Sequence, residues 1–289
     1  MLNEVKLLVF DLDGTLLNSD KNITIETKKE IQRAAKQGIK ICLASGRFEK
    51  MMYLEKNILD CVDYMISSNG AQICDFKNNI IYKNSLNKDD FINVFEWIKE
   101  HGYKAMIYSS DSAYYPKGVD KMLNKIENYK NKLALNGFDV DFPAYAYDDI
   151  SDFYDLNDIS KAVIYEDISN LKEFINQNLL DFNITFEPTG YGLLGIFNEG
   201  VSKFTALEEI KSILGLNSNQ VAIFGDYDND LSMFACSNYC IAMKNGSELV
   251  KKSANYITKY TNDEDGVAIF IRENIIGDTQ KSQNSYKES

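Results

Sequence analysis

Short apolar runs alternate with amphipathic stretches at both ends of the chain. In the first 75 residues three apolar runs are separated by two stretches with helical spacing. The apolar runs cover 5–10, 39–44 and 62–68, and the stretches with helical spacing cover 23–38 and 48–59. Continuous apolar runs of this length are typical of strands buried on both faces of a parallel sheet. Residues 201–274 repeat the alternation, with a strand at 221–225, so the pattern predicts an α/β fold with a parallel sheet covered by helices.

Residues 83–190 have a different texture, rich in tyrosine and phenylalanine. Shorter strands with alternating character lie between amphipathic helices, one of them predicted at 169–180, which indicates an α+β module with an open sheet. A chain of 289 residues is long enough for two domains. We therefore expect 1–82 and 191–289 to form one domain and 83–190 to be inserted into it. The tyrosines of the insertion either present a binding face or, as we expect from their strand spacing, lie in its core: Tyr108, Tyr114, Tyr115, Tyr145 and Tyr147.

Composition excludes several classes of function. The net charge of -12 argues against nucleic acid or an anionic membrane as a partner, because both need a basic surface. No apolar run reaches the length of a signal-peptide core or a membrane span, and the polar last dozen residues are expected to be frayed. The five cysteines are scattered without a CxxC motif, which favours free thiols and a cytoplasmic protein. The single histidine, His101, is expected to end a helix, and one histidine argues against histidine-based triads, multi-histidine zinc sites and paired-histidine phosphatases.

Acidic residues follow two of the predicted buried strands. Asp11 and Asp13 come after the first strand, and the strand at 221–225 is followed by DYDND, which supplies Asp226, Asp228 and Asp230. In a parallel sheet, ligands bind at the carboxyl ends of the strands. Carboxylates at this density need a cation, and oxygen ligands without His or Cys select a hard one. The sequence therefore predicts a Mg²⁺ site.

A bound phosphate would complete the charge balance around this acidic site. Ser45 lies where the second strand turns into a helix, so its hydroxyl and the neighbouring amides are suited to an anion. Lys203, near the start of a predicted helix, offers a compact positive charge of the kind that binds phosphate. With phosphate held there, Asp11 is suited to attack phosphorus and Asp13 to transfer protons.

Four short motifs in order carry a family resemblance. They are DLDGTLL at 11–17, SGR at 45–47, GVSK at 200–203 and GDYDND at 225–230. Together they resemble the haloacid dehalogenase superfamily of phosphatases, and more closely its Cof-type (IIB) branch. That branch carries a large C2-type cap inserted between the second and third motifs. The resemblance implies a Rossmann-like core and an α+β cap that contributes substrate specificity.

The resemblance also implies roles for individual residues. Asp11 would form an aspartyl-phosphate and Asp13 would be the general acid and base. Mg²⁺ would be held by Asp11, by the backbone carbonyl of Asp13 and by Asp226. The phosphoryl group would be bound by Ser45 and Lys203, by the amides of Leu12 and Gly46, and by Asn229. Asp230 would orient Lys203 or a metal-bound water.

Other residues near the motifs carry open alternatives. Arg47 would contact substrate or cap, or pair with an acidic neighbour. Asn69 and Gly70 would lie at the cap junction, or form a plain turn. Asp228 has no family role and is expected to cap a helix. The chain departs from the family at Phe204, where glycine is common, and at MKNG (243–246), where Lys244 adds a positive charge near the site.

These patterns predict a Mg²⁺-dependent phosphatase acting on a small organic phosphomonoester, such as a sugar phosphate or a compound like flavin mononucleotide or pyridoxal phosphate. One alternative is a phosphomutase or phosphotransferase of the same fold, in which a hydroxyl replaces water as acceptor. A second is a regulatory protein phosphorylated on aspartate without turnover. Receiver domains of that class are much shorter and lack both DxDGT and a cap.

Overall fold

The computed structural model describes residues 2–165, 182–189 and 193–277. The chain divides into two compact units. The first comprises Met1–Ala44, Glu55–Tyr64 and Leu207–Ser289, and the second comprises Ser45–Leu54 and Met65–Ala206. The predicted helix at 169–180 and the polar last dozen residues lie outside the described residues.

Strands and helices alternate along most of the described chain. The strands are β1 Leu7–Phe10, β2 Lys40–Ala44, β3 Tyr64–Ser67, β4 Gln72–Asp75, β5 Ile80–Lys83, β6 Ala105–Tyr108, β7 Ala113–Pro116, β8 Ala144–Tyr147, β9 Lys161–Ile164, β10 Ile184–Thr189, β11 Leu193–Asn198, β12 Val221–Gly225, β13 Tyr239–Ala242 and β14 Tyr256–Ile257. The helices are α1 Ile25–Lys36, α2 Tyr53–Leu59, α3 Lys88–Glu100, α4 Asp120–Leu135, α5 Lys203–Leu214, α6 Leu231–Phe234, α7 Glu248–Ser253 and α8 Gly266–Ile271. Short 3₁₀ turns include Glu49–Met52, Ser68–Gly70, Ile150–Phe153 and Asp228–Asp230.

A parallel sheet forms the centre of the first unit, in the order β14-β13-β12-β1-β2. β1 pairs with β12 on one side and β2 on the other, so Val9 lies between Ile223 and Cys42. Every residue of β1 is fully buried, as its unbroken apolar run predicts. The α/β prediction is confirmed, and the register places the ends of β1 and β12 side by side.

The second unit contains a six-stranded sheet among its described residues, called the cap sheet below. Its order is β10-β11-β9-β6-β7-β8, and its pairs are antiparallel except for β7 with β8. Helix α3 contributes Phe91 and Phe95 to an apolar core on this sheet. The mixed pairing confirms the α+β character predicted for the inserted module.

Several elements differ from the sequence predictions. The predicted helix at 48–59 is a 3₁₀ turn followed by α2. The antiparallel hairpin of β4 and β5 was not predicted. Strand β11 lies beyond residue 190, because it completes the cap sheet between β10 and β9. The domain limits 1–82, 83–190 and 191–289 stay a prediction.

The tyrosines of the second unit fall into three classes. Tyr108 and Tyr147 are buried, and the Tyr147 hydroxyl donates to the Ala105 carbonyl at 2.7 Å. Tyr114 and Tyr115 are half-buried, and Tyr145 is exposed. The core prediction is therefore correct for Tyr108 and Tyr147 and wrong for Tyr145, because β8 is the edge strand of the cap sheet. His101 is the C-terminal cap of α3, as predicted.

Phe153 is central to the apolar core of the second unit. Its ring lies 5.1–5.5 Å from the rings of Phe91, Phe95, Tyr114 and Tyr147. We expect Phe153→Ala to lower the free energy of unfolding by about 3–5 kcal/mol, because it leaves a cavity in a packed core. Urea titration followed by Trp97 fluorescence measures this, since the chain's one tryptophan lies on α3 of the same unit.

Phe76→Ala is the matched control, because Phe76 is 61% exposed. This variant should change the free energy of unfolding by about 0.5 kcal/mol or less. Equal effects of the two substitutions would contradict the assignment of Phe153 to the core.

Candidate active site

Three carboxylates lie together in the first unit. Asp11 follows β1 and Asp226 follows β12, and the Asp11 amide continues the ladder by donating to the Phe224 carbonyl at 3.0 Å. One carboxylate oxygen from each of Asp11, Asp226 and Asp230 lies within 4.8 Å of the other two. Asp11 and Asp230 are buried and Asp226 is half-buried. The parallel register of β1 and β12 therefore produces the acidic cluster predicted from their ends.

Hydrogen bonds hold two of these carboxylates in place. Asp230 accepts from the backbone amides of Asp226 at 2.9 Å and Tyr227 at 3.1 Å. Asp226 accepts from the Thr15 hydroxyl at 2.7 Å. Asp230 thereby fixes the turn that carries Asp226, while Thr15 orients the Asp226 side chain. The sequence interpretation missed Thr15, although its position directly after Asp13 and Gly14 was a usable signal.

Gly14 lets the chain turn beside the acidic cluster. Its φ is +91°, in the left-handed region, and a Cβ there would collide with the Asp226 carboxylate. After the turn, the Leu16 amide donates to the Asp11 carbonyl at 3.2 Å and the Leu17 amide to the Leu12 carbonyl at 2.8 Å. The DxDG motif therefore needs glycine at this position, because the Asp226 carboxylate leaves no room for a side chain.

Asp13 occupies a different environment from the cluster. Its side chain is half-buried, and the Lys21 ammonium lies 2.9 Å from its Oδ1 atom. The Asp13 carboxylate does not belong to the cluster of Asp11, Asp226 and Asp230. Lys21 was missed in the sequence interpretation, because a lysine in a polar loop eight residues downstream carries no motif. Asp11 and Asp13 thus lie in different surroundings.

The donors of the cluster fit a hard divalent cation. All three side chains offer carboxylate oxygens, and no His or Cys among the described residues belongs to the group. Mutual repulsion of three carboxylates at this spacing is unfavourable without a positive charge. These residues can hold a metal ion of the Mg²⁺ type.

Ser45 lies in the second unit, directly after β2. It is buried, its amide donates to the Ile66 carbonyl at 2.9 Å, and its Oγ accepts from the Arg47 amide at 3.2 Å. Among the described residues, the amide of Gly46 has no hydrogen-bond partner. The Arg47 guanidinium donates to the Met51 carbonyl at 3.3 Å, so part of its side chain stabilises the loop it belongs to.

The turn Ser68–Gly70 connects two parts of the predicted site. Its three residues have φ of +48°, +54° and +106°, an uncommon conformation for Ser68 and Asn69. The Asn69 amide donates to the Ser45 carbonyl at 3.1 Å, and a Cβ on Gly70 would collide with the Ser202 carbonyl. This turn therefore contacts both the Ser45 loop and the residue preceding Lys203, and it is not a plain surface turn.

Lys203 begins helix α5 and is buried. Ser202 precedes it, and the Ser202 Oγ accepts from the Thr205 amide at 3.1 Å, which stabilises the start of the helix. Phe204, at the position where the family often has glycine, is 37% exposed. A buried lysine side chain loses its hydration, so it is suited to a position where an anion binds.

The remaining predicted residues lie around the turn after β12. Asn229 is half-buried inside the 3₁₀ turn Asp228–Asp230. The prediction that Asp228 caps a helix is wrong, because Tyr227 holds that position and the exposed Asp228 accepts from the Ser247 hydroxyl at 2.7 Å. The Lys244 ammonium lies 3.8 Å from the Glu264 carboxylate, so its added charge is partly offset.

Comparisons with known proteins identify the family of this chain. The profile of the haloacid dehalogenase-like hydrolases matches residues 8–271. A 5-amino-6-(5-phospho-D-ribitylamino)uracil phosphatase of Bacillus subtilis, YcsE, is 27% identical over 269 residues, covering 93% of this chain and 95% of the relative. A haloacid dehalogenase-like hydrolase from Bacteroides thetaiotaomicron is 28% identical with a TM-score of 0.78, covering 92% of this chain and 98% of that one.

A third comparison concerns the fold alone. The subclass IIB sugar phosphatase BT4131 shares it with a TM-score of 0.74 at 20% identity, covering 98% of this chain and 99% of that one. None of the helices in the described part of the chain is long and apolar enough to cross a membrane. The family match over residues 8–271, the fold and these relatives agree: this chain belongs to the haloacid dehalogenase-like hydrolases, and it is a phosphatase of their Cof-type branch.

Proposed function

We propose that the protein is a Mg²⁺-dependent phosphatase that hydrolyses small organic phosphomonoesters through an aspartyl-phosphate. One observation carries the proposal: the carboxylates of Asp11, Asp226 and Asp230 lie within 4.8 Å of one another at the ends of adjacent strands. Such a group is unfavourable unless a cation is bound. Its position at the carboxyl ends of parallel strands is the usual ligand position of this architecture.

Asp11 and Asp226, with the backbone carbonyl of Asp13, would hold the metal ion. When bound, Mg²⁺ offsets the carboxylate charge and the negative charge of a phosphoryl group. Asp230 supports this set through its hydrogen bonds to the Asp226 and Tyr227 amides. Its proposed role is therefore to position Asp226.

Asp11 is the proposed nucleophile and Asp13 the proposed proton donor and acceptor. A carboxylate oxygen of Asp11 attacks phosphorus, the bond to the leaving oxygen breaks, and Asp13 protonates that oxygen. Water then attacks the aspartyl-phosphate, Asp13 takes its proton, and phosphate leaves with the Asp11 carboxylate restored. The Lys21 ammonium, 2.9 Å from Asp13, holds this carboxylate in position.

The phosphoryl group is proposed to be bound by Ser45, Gly46 and Lys203, with the Leu12 amide and Asn229. The amide of Gly46, unpartnered among the described residues, supports its role as a donor. Burial of Ser45 and Lys203 supports theirs, because hydrogen bonds to an anion are strongest away from water. We propose that Asn69 and Gly70 position Ser45 and Lys203. Arg47 is proposed to contact the substrate or the cap.

The substrate class is proposed to be a small phosphorylated metabolite with a polar, hydroxyl-rich leaving group. YcsE is named for a phosphorylated ribitylamino-uracil and BT4131 for sugar phosphates. Sugar phosphates and flavin mononucleotide resemble the compounds in these two names, because each carries a chain rich in hydroxyl groups next to the phosphate. Pyridoxal phosphate is the third candidate. We further propose a cytoplasmic location, because none of the five cysteines forms a disulfide with another described residue and four of them are buried.

Asp11→Asn is the direct test of the nucleophile. We expect phosphate release from p-nitrophenyl phosphate to fall by about 10⁴-fold, because an amide cannot attack phosphorus as a carboxylate does. Asp139→Asn, an exposed aspartate of the second unit, is the control and should retain wild-type rates. Activity of the Asp11 variant within tenfold of wild type, with normal far-UV circular dichroism, would remove Asp11 from the mechanism.

Removal of the metal tests the acidic cluster. Dialysis against EDTA should abolish turnover, and Mg²⁺ should restore it. Asp226→Asn should raise the Mg²⁺ concentration for half-maximal activity by about 10–100-fold, because one charged ligand is lost. Full activity in EDTA, or unchanged Mg²⁺ dependence in the Asp226 variant, would contradict the proposed metal site.

A phosphate-release panel tests both substrate class and reaction type. Among sugar phosphates, flavin mononucleotide, pyridoxal phosphate and phosphorylated peptides, we expect the metabolites to have kcat/KM at least about tenfold above the peptides. Free alcohol and inorganic phosphate should form in equal amounts. A deficit of phosphate in the presence of an acceptor alcohol would favour the alternative, a phosphotransferase.

A further inference from the structure

Lys161 is a buried lysine that the proposed mechanism does not use. It begins β9 and lies opposite Tyr108 of β6 in the cap sheet. Only 4% of its surface is exposed, and its ammonium lies 4.7 Å from the centroid of the Tyr108 ring. Burial, together with the positive charge of Lys125 on α4, lowers the pKa of Lys161 to about 7.

Lys161 has no carboxylate partner among the described residues. Its one hydrogen bond to protein runs from the ammonium to the backbone carbonyl of Gly46, at 2.6 Å. A buried cation without an ion pair disfavours folding, so stability alone gives no reason for a lysine here. The one polar group it contacts belongs to the loop proposed to bind phosphate.

Each carbonyl of the Ser45–Arg47 loop accepts a hydrogen bond from a different donor. The Ser45 carbonyl accepts from the Asn69 amide at 3.1 Å and the Arg47 carbonyl from the Ser68 amide at 2.7 Å. The Gly46 carbonyl accepts from Lys161. Two of these donors are backbone amides of a neighbouring turn, and the third is a side chain of the cap sheet.

Planarity of the peptide group links the Lys161 contact to Ser45. The Gly46 carbonyl and the Arg47 amide belong to one rigid peptide group and point in opposite directions. Because Lys161 fixes the carbonyl, it also fixes the amide, which donates to the Ser45 Oγ at 3.2 Å. With its lone pair used in this way, the Ser45 hydroxyl keeps its proton for another acceptor.

The same orientation leaves two donors of the loop for a ligand. The Ser45 hydroxyl hydrogen and the Gly46 amide have no acceptor among the described residues. Two donors on consecutive residues form an anion-binding arrangement when the carbonyls are held away from them. The loop is therefore presented to an anion only while its carbonyls remain bonded elsewhere.

We propose that Lys161 is a positioning residue of the cap sheet, which holds the Gly46–Arg47 peptide so that Ser45 and Gly46 donate to phosphate. The proposal rests on the proposed function, since it takes the Ser45 loop as the phosphate site. It makes phosphate affinity depend on a residue of the inserted module, more than 110 positions downstream of that loop.

Direct binding of inorganic phosphate to the full-length, Mg²⁺-loaded protein tests this role without turnover. By isothermal titration, Lys161→Met should raise the Kd for phosphate by about tenfold, as expected for loss of a charge-assisted hydrogen bond that orders the loop. With p-nitrophenyl phosphate, KM should rise by the same factor while kcat stays within about threefold. Lys121→Met, at an exposed lysine of helix α4, is the control, and its Kd should stay within about twofold of wild type.

A double-mutant cycle separates positioning from general stability. If Lys161 acts through Ser45, then Lys161→Met should change the Kd by less than about twofold in a Ser45→Ala background. Independent, multiplicative losses would overturn the proposal, as would an unchanged Kd in Lys161→Met alone. Lys161→Gln, which keeps a neutral donor, replaces the methionine variant if that variant does not fold. Its Kd should exceed the wild-type Kd, but by less than the about tenfold expected for complete loss of the donor, and an unchanged Kd would overturn the proposal.

Failure of this inference is distinguishable from failure of the phosphatase mechanism. Wild-type turnover with no measurable phosphate binding would refute the loop as a phosphate site and leave Asp11 chemistry in place. Phosphate binding that weakens in Lys161→Met, without turnover by the wild type, would refute the mechanism and support the role of Lys161.

Discussion

Mutual repulsion of the carboxylates after β1 and β12 is the constraint on which the site depends. Parallel pairing of these strands brings Asp11 and Asp226 together, and Asp230 adds a third carboxylate while it fixes the turn that carries Asp226. Such a group lowers stability in the absence of a cation, which is the physical basis for the metal site proposed there. Gly14 and Thr15 are explained by the same constraint: one makes room for the Asp226 side chain and the other orients it.

The proposed chemistry draws on both compact units of the chain. The carboxylates Asp11, Asp13 and Asp226 belong to the first unit, and Ser45 and Lys203 belong to the second. Within the second unit the turn Ser68–Gly70 contacts both the Ser45 loop and the backbone before Lys203. The left-handed backbone of Asn69 and Gly70 favours Asn and Gly at these positions, and a Cβ on residue 70 would collide with the Ser202 carbonyl. Asn69 and Gly70 therefore link Ser45 to Lys203, the two side chains proposed to bind phosphate.

Local patterns were sufficient for the fold and for the acidic cluster. Buried parallel strands have a strong signature, and the residues after them meet because of register alone, as with Asp11 and Asp226. The contacts of Lys21 with Asp13 and of Lys161 with Gly46 were not predictable, because each depends on how a loop or a cap strand packs in three dimensions. Asp228 illustrates a different failure: turn geometry shifted the cap position by one residue to Tyr227.

Phe48 follows the SGR motif and packs on the cap sheet, with its ring 5.4 Å from Tyr108 and 5.0 Å from Phe142. Lys50 donates to the Asp141 carbonyl at 2.7 Å, so the segment after Ser45 is attached to the inserted module at several points. If the Ser45 loop binds phosphate as proposed, a change in the aromatic cluster around Phe48 would alter recognition of the phosphate common to every substrate, along with selection among leaving groups. Screens for new specificity in this module should record affinity for phosphate itself, since broad losses of activity can arise from a repacked Phe48.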